Sequence, residues 1–210
     1  MSAEPLPEFL ASLGKTELKP GGSYATGALL RMLDLTGGDH LLVVGPHAGN
    51  TALFASMTTG ATSEALVKEE KEKVADSDPA LRRKSTARIG KTDEMPFPDT
   101  HFTAAMIEAT LAHQTMERQV ATLKEVARVL KPGGRMGIHE LTWRQPPTPN
   151  VEERLQRVWQ GPVRPLVVRG WWDMLEGAGF KDIRNELAVV SYFTRQGMTA
   201  DEGETTSSAL

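Results

Sequence analysis

Two histidines stand at the ends of predicted buried strands, where side chains can reach a ligand. His113 follows the apolar segment HFTAAMIEAT, and His139 with Glu140 lies near the end of the predicted strand 135–141. Imidazole titrates near neutral pH and can serve as a general base. His113 has a second interpretation, as a residue that only caps or packs near the start of the next helix.

A tight turn between a strand and a helix is predicted within LLVVGPHAGNTA, residues 41–52. Glycine permits positive φ and close backbone approach, and Gly45 and Gly49 supply part of that freedom. His47 stands where a third glycine is expected. Histidine tolerates positive φ better than most residues, but its ring needs room. The ring of His47 must therefore point into a ligand space or swing out of it.

The elements that must position these residues follow from hydrophobic periodicity and turn signals. Predicted helices cover 23–35, 50–57, 151–160 and 171–177. A further helix, charged and solvated, is predicted to begin at the cap Ser63. Another is predicted to end at KPGG, 131–134, and to bury one apolar face made of Met116, Val120, Leu123, Ala127 and Leu130. Predicted strands cover 41–45, 58–62, 86–90, HFTAAMIEAT, 135–141, 180–187 and 188–195.

The alternation of strands and helices predicts an α/β fold, a doubly wound and mostly parallel sheet with helices on both faces. Ligands of such sheets bind at the carboxyl ends of the strands. We expect residues 1–22 to form an N-terminal helix and lid segment, 23–198 to form one domain, and the polar tail 199–210 to be disordered.

Composition excludes several classes of function. A formal net charge of -3 gives no reason to expect nucleic acid as a partner. The absence of cysteine removes disulfides, thiolate metal sites and cysteine nucleophiles. No apolar run approaches the roughly 18 residues of a membrane span, and the N-terminus is unlike a secretory signal. We therefore expect a cytoplasmic protein without a membrane partner, and the sequence leaves a homodimer open.

Three segments together resemble a known family. They are DEMPFPDTHFTAAM, LKEVARVLKPGGRMGIHE and GWWDMLEGAGF. The chain resembles the class I S-adenosylmethionine-dependent methyltransferases, in particular the small-molecule group that includes the ubiquinone and menaquinone methylases. The resemblance runs from about Gly22 to Phe193. It implies a seven-stranded sheet whose last strand is antiparallel, S-adenosylmethionine as cofactor, a small-molecule substrate, and a substrate-cover insertion at 143–170.

The family's cofactor motifs are only partly present. The first turn, D/E-x-G-x-G-x-G in the family, implies cofactor contacts from Gly45, His47 and Gly49, and the acid position is Val43. The acid that binds the ribose aligns with Thr62 or Ser63, with Glu64 just beyond. The acid beside the adenine aligns with Lys91, and Thr92 and Asp93 follow in the same loop. The aspartate of the fourth strand aligns with Thr103.

Four departures from the motifs, at Val43, Thr62, Lys91 and Thr103, indicate degenerate motifs and weakened or lost cofactor binding. Two functions remain open: methyl transfer to a small molecule, and a catalytically inactive methyltransferase-fold protein that serves as a binding or partner subunit. The spacing argues against a dinucleotide enzyme, because G-x-G-x-x-G would need glycines at 45, 47 and 50 and only Gly45 fits.

Aromatic residues suggest the substrate pocket. All four tryptophans fall between 143 and 172. Together they could line an aromatic pocket, which would suit a flat or apolar substrate. Trp143 and Tyr24 are the candidate substrate contacts, and His113 and His139 the candidate bases. The alternative is ordinary packing, which we favour for Trp171 and Trp172; for Tyr24 it is a half-buried aromatic at a helix start.

Overall fold

The computed structural model describes residues 19–69, 84–159 and 161–188. The helices are α1 (Gly22–Leu33), α2 (Ala48–Thr59), α3 (Met116–Val129), α4 (Pro149–Trp159) and α5 (Val168–Gly177), with a 3-10 helix at Leu111–His113. The strands are β1 (His40–Val44), β2 (Thr62–Val67), β3 (Ser85–Ile89), β4 (Phe102–Glu108), β5 (Leu130–His139), β6 (Thr142–Trp143) and β7 (Leu166–Val167).

The main sheet has the order β3-β2-β1-β4-β5, and every neighbouring pair is parallel. This confirms the predicted α/β class with a parallel sheet. The expected count of seven strands is not met in the described residues, where the main sheet has five and β6 and β7 form a separate parallel pair. The strand predicted at 180–187 is wrong, because within the described residues this stretch has no regular secondary structure and is mostly exposed. Most of 188–195 lies outside the described residues.

Side chains of β1 alternate between the two faces of the sheet, as the pleat requires. Leu41 and Val43 pack against the face that carries α1 and α2, and Leu42 and Val44 belong to the core on the face of α3 and α5. All four are at most 1% exposed. A strand covered on both faces reads as a continuous apolar run, which is why β1 was predictable.

The prediction for residues 58–67 is wrong. The expected strand at 58–62 is the last turn of α2 and its cap, where Gly60 has φ 79, and the expected helix capped by Ser63 is β2. Glu64 interrupts the apolar pattern of β2, yet its neighbours from Ala65 to Val67 are buried in the sheet. The remainder of that charged segment, from residue 70 to 83, lies outside the described residues.

Helix α3 buries a face that matches the predicted one only in part: Leu123 is buried as predicted, and Leu130 is buried but begins β5. Met116 and Val120 are 42% and 38% exposed. The buried residues are Gln119, Thr122, Leu123, Val126 and Val129. Two of these are polar but bonded, since Gln119 Nε2 donates to the Leu111 carbonyl at 2.9 Å and Thr122 Oγ1 bonds Gln114. Hydrophobic periodicity alone cannot predict a buried helix face that includes polar side chains, because these are buried only where they form hydrogen bonds in the interior.

Candidate functional site

Strands β1 and β4 come into close contact where they end. Gly45 follows β1 with φ 149, and a Cβ atom at this position would lie 2.4 Å from the carbonyl oxygen of Glu108. No side chain fits at that distance, so the glycine is required by the approach of the two backbones. The last residue of β4 is thereby fixed directly beside the turn at 45–49.

Glu108 is the centre of a buried polar cluster, at 1% exposure. Lys19 Nζ lies 3.3 Å from its Oε2, Thr26 Oγ1 donates to Oε1 at 2.6 Å, and Thr51 Oγ1 lies 3.4 Å from Oε2. His139 Nδ1 is 3.6 Å from Oε1. We call these five residues the Glu108 cluster. It joins the loop before α1, α1, α2, β4 and β5 at one point of the carboxyl edge.

The Glu108 carboxylate remains ionised although it is buried. Burial acts to raise the pKa of Glu108, but the adjacent His139 ring and the charge of Lys19 outweigh it, so the pKa lies below its usual range. His139 Nδ1 itself is buried and meets no acceptor within hydrogen-bonding distance among the described residues. The cluster therefore offers a buried anion with one polar ring atom still to be satisfied.

Glu140 fixes the loop that follows β4. Its carboxylate accepts the backbone N–H groups of Thr110 and Leu111 at 2.8 Å each and of Ala112 at 3.1 Å. Burial raises the pKa of Glu140 to about 7, against the opposing effect of these donors. Glu140 thus holds in place the 3-10 helix that carries His113.

The two candidate bases have different neighbours. His113 is the last residue of the 3-10 helix, and its ring stacks on Trp159 of α4 at a centroid distance of 4.9 Å. Burial, and then the charge of Lys68, lower the pKa of His113, so its ring is neutral at pH 7. His139 instead contacts Glu108. That either residue acts as the base stays a prediction.

The turn itself is closed by its own backbone. His47 is exposed and left-handed, with φ 56, and its carbonyl accepts the N–H of Thr51 at 3.1 Å. Gly49 is buried in the first turn of α2. Tyr24 is 74% exposed in the first turn of α1, and Trp143 is half-buried in β6. Contacts of these four residues with a cofactor or substrate stay predictions.

Thr62 and Glu64 are wrong as cofactor residues. Thr62 is the first residue of β2, and Glu64 is bonded to His40 and His101 at the opposite, amino edge of the sheet and to Arg88 of β3. The sequence alignment ended the second strand five residues too early. Val67 is the true end of β2, and Lys68 and Glu69 follow it.

Two other positions are engaged in the scaffold. Thr92 Oγ1 bonds Gln114 Nε2 at 2.9 Å and Thr122 Oγ1 at 3.1 Å. Asp93 forms an ion pair with Arg118 at 3.2 Å. These contacts tie the loop after β3 to α3 and to the segment before it, and an adenine contact from either residue stays a prediction.

The four motif departures differ in meaning once they are located. Thr103 lies at the amino edge, where its hydroxyl donates to Asp39 at 2.8 Å and accepts the His40 N–H at 2.9 Å. Thr62 lies at the same edge, so neither position is a lost cofactor contact. Val43 is packed in the core, and Lys91 is exposed beside Glu94. Only these last two departures still bear on a ligand at the carboxyl edge.

Sequence reasoning missed Lys19, Thr26, Thr51 and Glu108. Glu108 did carry a signal, since it is the one charged residue in the segment TAAMIEAT at the end of a buried strand. An acid in that place needs a partner or a ligand. Lys19 carried no such signal, because a lysine before a proline-glycine turn is ordinarily exposed.

Comparison with protein families finds a methyltransferase domain model over residues 43–138. An O-methyltransferase, resE, from Aspergillus sclerotiorum is 28% identical over 185 residues, which are 82% of this chain and 68% of that protein. The 27-O-demethylrifamycin SV methyltransferase of Amycolatopsis mediterranei is 27% identical over 87% of this chain and 68% of its own length. An uncharacterised protein from Haemophilus influenzae is 27% identical over 93% and 79%.

Solved structures agree on the fold. The [4+2]-cyclase SpnF superposes with a TM-score of 0.71 at 19% identity, over 97% of this chain and 83% of that one. Geranyl diphosphate C-methyltransferase from Streptomyces coelicolor A3(2), solved with Mg2+, geranyl diphosphate and S-adenosyl-L-homocysteine, gives 0.60 at 17% identity, over 74% and 59%.

Within the part of the chain that the structure describes, no helix has the length and apolarity of a membrane span. The family model, the methyltransferase relatives and the parallel sheet agree with the motif order found in the sequence, and the ubiquinone-type subgroup is only loosely indicated. Residues 43–138 match the methyltransferase domain family, and in sequence and fold the chain is similar to the class I S-adenosylmethionine-dependent methyltransferases.

Proposed function

We propose that this protein transfers a methyl group from S-adenosylmethionine to a small molecule in the cleft at the carboxyl edge. The observation that carries the proposal is the Glu108 cluster, which holds a buried carboxylate beside the Gly45 turn. The methionine end of the cofactor carries an ammonium and a sulfonium. A buried, ionised carboxylate attracts both far more strongly than one in water would.

The residues around Glu108 fit that end of the cofactor. Thr26 and Thr51 present hydroxyls to the carboxylate, and His139 Nδ1 is a buried polar atom without a hydrogen bond. For the ribose, the candidate is a residue after β2 and not Thr62, because β2 ends at Val67. We assign this part to Glu69, the carboxylate that follows the strand by two positions.

The bound cofactor would supply an electrophilic methyl group. The chain's own task is then to hold the acceptor in line and to remove its proton. His113 suits the second task, because its lowered pKa leaves the ring neutral and able to accept a proton. Trp159, stacked on it, suits a flat or apolar acceptor. The two relatives that are named as O-methylating enzymes support an oxygen acceptor.

Binding of the cofactor is expected to be weak. Lys19 already pairs with Glu108, so a cationic ligand must compete with that ammonium. The same ion pair favours a second candidate function, an inactive methyltransferase-fold subunit in which Lys19 substitutes permanently for the ligand. The two candidates differ in one measurable property, which is whether the protein binds the cofactor.

Calorimetry with S-adenosylmethionine and S-adenosylhomocysteine tests the proposal on the natural protein, Glu108→Gln and the control Glu153→Gln. Glu153 is an exposed acid on α4 that forms an ion pair with Arg157 of the same helix. We expect binding by the natural protein and the control, and roughly 10- to 150-fold weaker binding by Glu108→Gln, since a charge-assisted contact contributes about 1.5–3 kcal/mol.

Absence of heat with both ligands for the natural protein would reject the proposal and favour the inactive subunit. Equal affinities for the natural protein and Glu108→Gln would keep cofactor binding but reject the assignment to Glu108. A methyl-labelled cofactor and a panel of phenols and aliphatic alcohols, followed by mass spectrometry, then identify the acceptor class.

A further inference from the structure

A second cluster of ionisable side chains lies at the amino edge, across the sheet from the candidate cleft. His40 is the first residue of β1, Glu64 is the third residue of β2, and His101 directly precedes β4. Strands β2, β1 and β4 are neighbours in the sheet. Three chain segments distant in sequence thus place two imidazoles and one carboxylate together. Neither the methyltransferase family nor the proposed function assigns them a role.

We propose that His40, Glu64 and His101 bind a Zn2+ ion. His40 Nε2 and His101 Nε2 each lie 3.1 Å from Glu64 Oε1, and the three atoms are all within 4.8 Å of one another. Tetrahedral zinc with bonds of about 2.0–2.2 Å requires its ligand atoms to be roughly 3.3–3.5 Å apart. Two of the three separations are already close to that value. A small rotation of the imidazoles would complete the geometry.

The surroundings hold the three ligands in place. Arg88 Nε lies 3.1 Å from Glu64 Oε2, so the second oxygen is occupied and Oε1 is directed at the histidines. The ring of Phe102 packs against both imidazoles, with centroid distances of 4.7 and 4.8 Å. Ligands oriented by neighbouring contacts lose little freedom when an ion binds.

The identity of the ligands selects the ion. Two neutral imidazoles and one carboxylate suit Zn2+ and its first-row neighbours, whereas Mg2+ and Ca2+ prefer oxygen ligands alone. His40 and His101 are 25% and 31% exposed, so an ion can enter from solvent and a water can supply the fourth ligand. Bound there, the ion would join the starts of three strands.

The alternative is a triad held by hydrogen bonds only, in which both Nε2–H groups donate to Glu64 Oε1. Metal titration separates the two. Metal-stripped protein without an affinity tag is titrated with Co2+, a zinc substitute with visible absorption bands, and the bound Co2+ is then displaced by Zn2+. We expect one equivalent of Co2+, visible bands, and a rise in Tm with Zn2+.

The variants are His101→Asn and Glu64→Gln, with His47→Asn as the matched control at the other edge of the sheet. Loss of one of three ligands should weaken Co2+ binding by at least about 10-fold, since even an outer contact is worth that much. His47→Asn should bind like the natural protein. Zinc-edge X-ray absorption of the natural protein adds a readout that needs no variant, and should show two imidazole nitrogens.

Three results would overturn the proposal. The first is the absence of visible Co2+ bands and of a Tm rise for the natural protein. The others are Co2+ binding by His101→Asn and Glu64→Gln as tight as that of the natural protein, or loss of Co2+ binding in His47→Asn. Because the readout is metal binding and not methyl transfer, the result is independent of the function proposed above.

Discussion

Two carboxylates at each edge of the sheet invite a comparison, because the two pairs are used differently. At the amino edge, Asp39 and Glu64 are bonded to arginines and histidines of neighbouring strands. At the carboxyl edge, Glu108 and Glu140 are bonded to a lysine, to hydroxyls and to loop N–H groups. The amino-edge charges fasten strands to one another, whereas the carboxyl-edge charges fasten loops.

This difference bears on where a ligand can act. Asp39 accepts from Thr36, Thr103 and Arg135 at 2.6–2.8 Å, and although burial acts to raise its pKa, these contacts lower it to about 2. The oxygens of the Asp39 carboxylate are therefore occupied by these donors and are not available to a ligand. Glu108 depends for its main cation on Lys19, a residue of the loop before α1, which a ligand can replace. The predictions below test this contrast between the edges.

The largest effect is expected from Lys19→Met. It would leave Glu108 buried without its lysine, and breaking a buried ion pair in this way costs about 3–5 kcal/mol of unfolding free energy. Urea unfolding measures the loss. The double variant Lys19→Met/Glu108→Leu should recover most of it, because an apolar pair of similar volume has no charge to desolvate. A loss under about 1 kcal/mol for the single variant would mean that Glu108 does not need Lys19.

Glu140→Ala should cost about 2–3 kcal/mol, because three backbone N–H groups lose their acceptor at once. Glu140→Gln retains one amide oxygen and should lose less. Thermal and urea unfolding of both variants, with the exposed Glu153→Ala as the control within about 0.5 kcal/mol, measure the series. Equal losses for the two Glu140 variants would show that a side chain of the same shape with one acceptor oxygen cannot replace the carboxylate in fixing the 3-10 helix.

Acid should loosen the amino edge. Hydrogen bonding from His40, against the effect of burial, lowers the pKa of Glu64 from 4.5 to about 2. A carboxylate with a lowered folded pKa stabilises above its unfolded pKa, so its contribution is lost as pH falls from 4.5 toward 2, at about 1.4 kcal/mol for each pH unit. Urea unfolding of metal-stripped protein across this range should show a shallower fall for Glu64→Gln. Parallel curves would place the acid sensitivity elsewhere.

The smallest effect on stability is expected from His47→Gly. A non-glycine residue at φ 56 is strained, but glycine costs entropy when the chain folds, so the net gain should be about 0.5 kcal/mol. The same substitution also restores the family's glycine and should tighten binding of S-adenosylhomocysteine in calorimetry. Weaker binding by the variant would show that the imidazole itself contacts the cofactor.

The sheet could be predicted because its physical cause is local. Buried strands such as β1 and β4 are continuous apolar runs, and the stop after α3 comes from a proline and two glycines. Strand β2 could not be placed, because Glu64 sits among its apolar residues and its partners come from β1, β3 and the residue before β4. Only contacts distant in sequence make that carboxylate compatible with a strand.

The candidate site was predicted in part for the same reason. The turn at 45–49, His113 after β4 and His139 at the end of β5 can be predicted from the sequence, since the end of a strand marks an edge of the sheet. The Glu108 cluster is not readable, because Lys19 is separated from Thr51 and Glu108 by 32 and 89 positions. The error at Thr62 shows the cost of a misplaced strand end, which moved a residue to the wrong edge.

Gly45 shows that a residue of a cofactor motif can be retained in evolution for the sake of folding alone. Its missing side chain makes room for the carbonyl of Glu108, so any larger residue would separate two central strands whether or not a cofactor is bound. Selection on folding alone would therefore preserve this glycine in a lineage that had abandoned methyl transfer. Position 47 has no such steric constraint, since its side chain is exposed, and its left-handed φ of 56 favours glycine only weakly. Among homologues, the residue at 47 is therefore the more informative record of catalysis kept or lost.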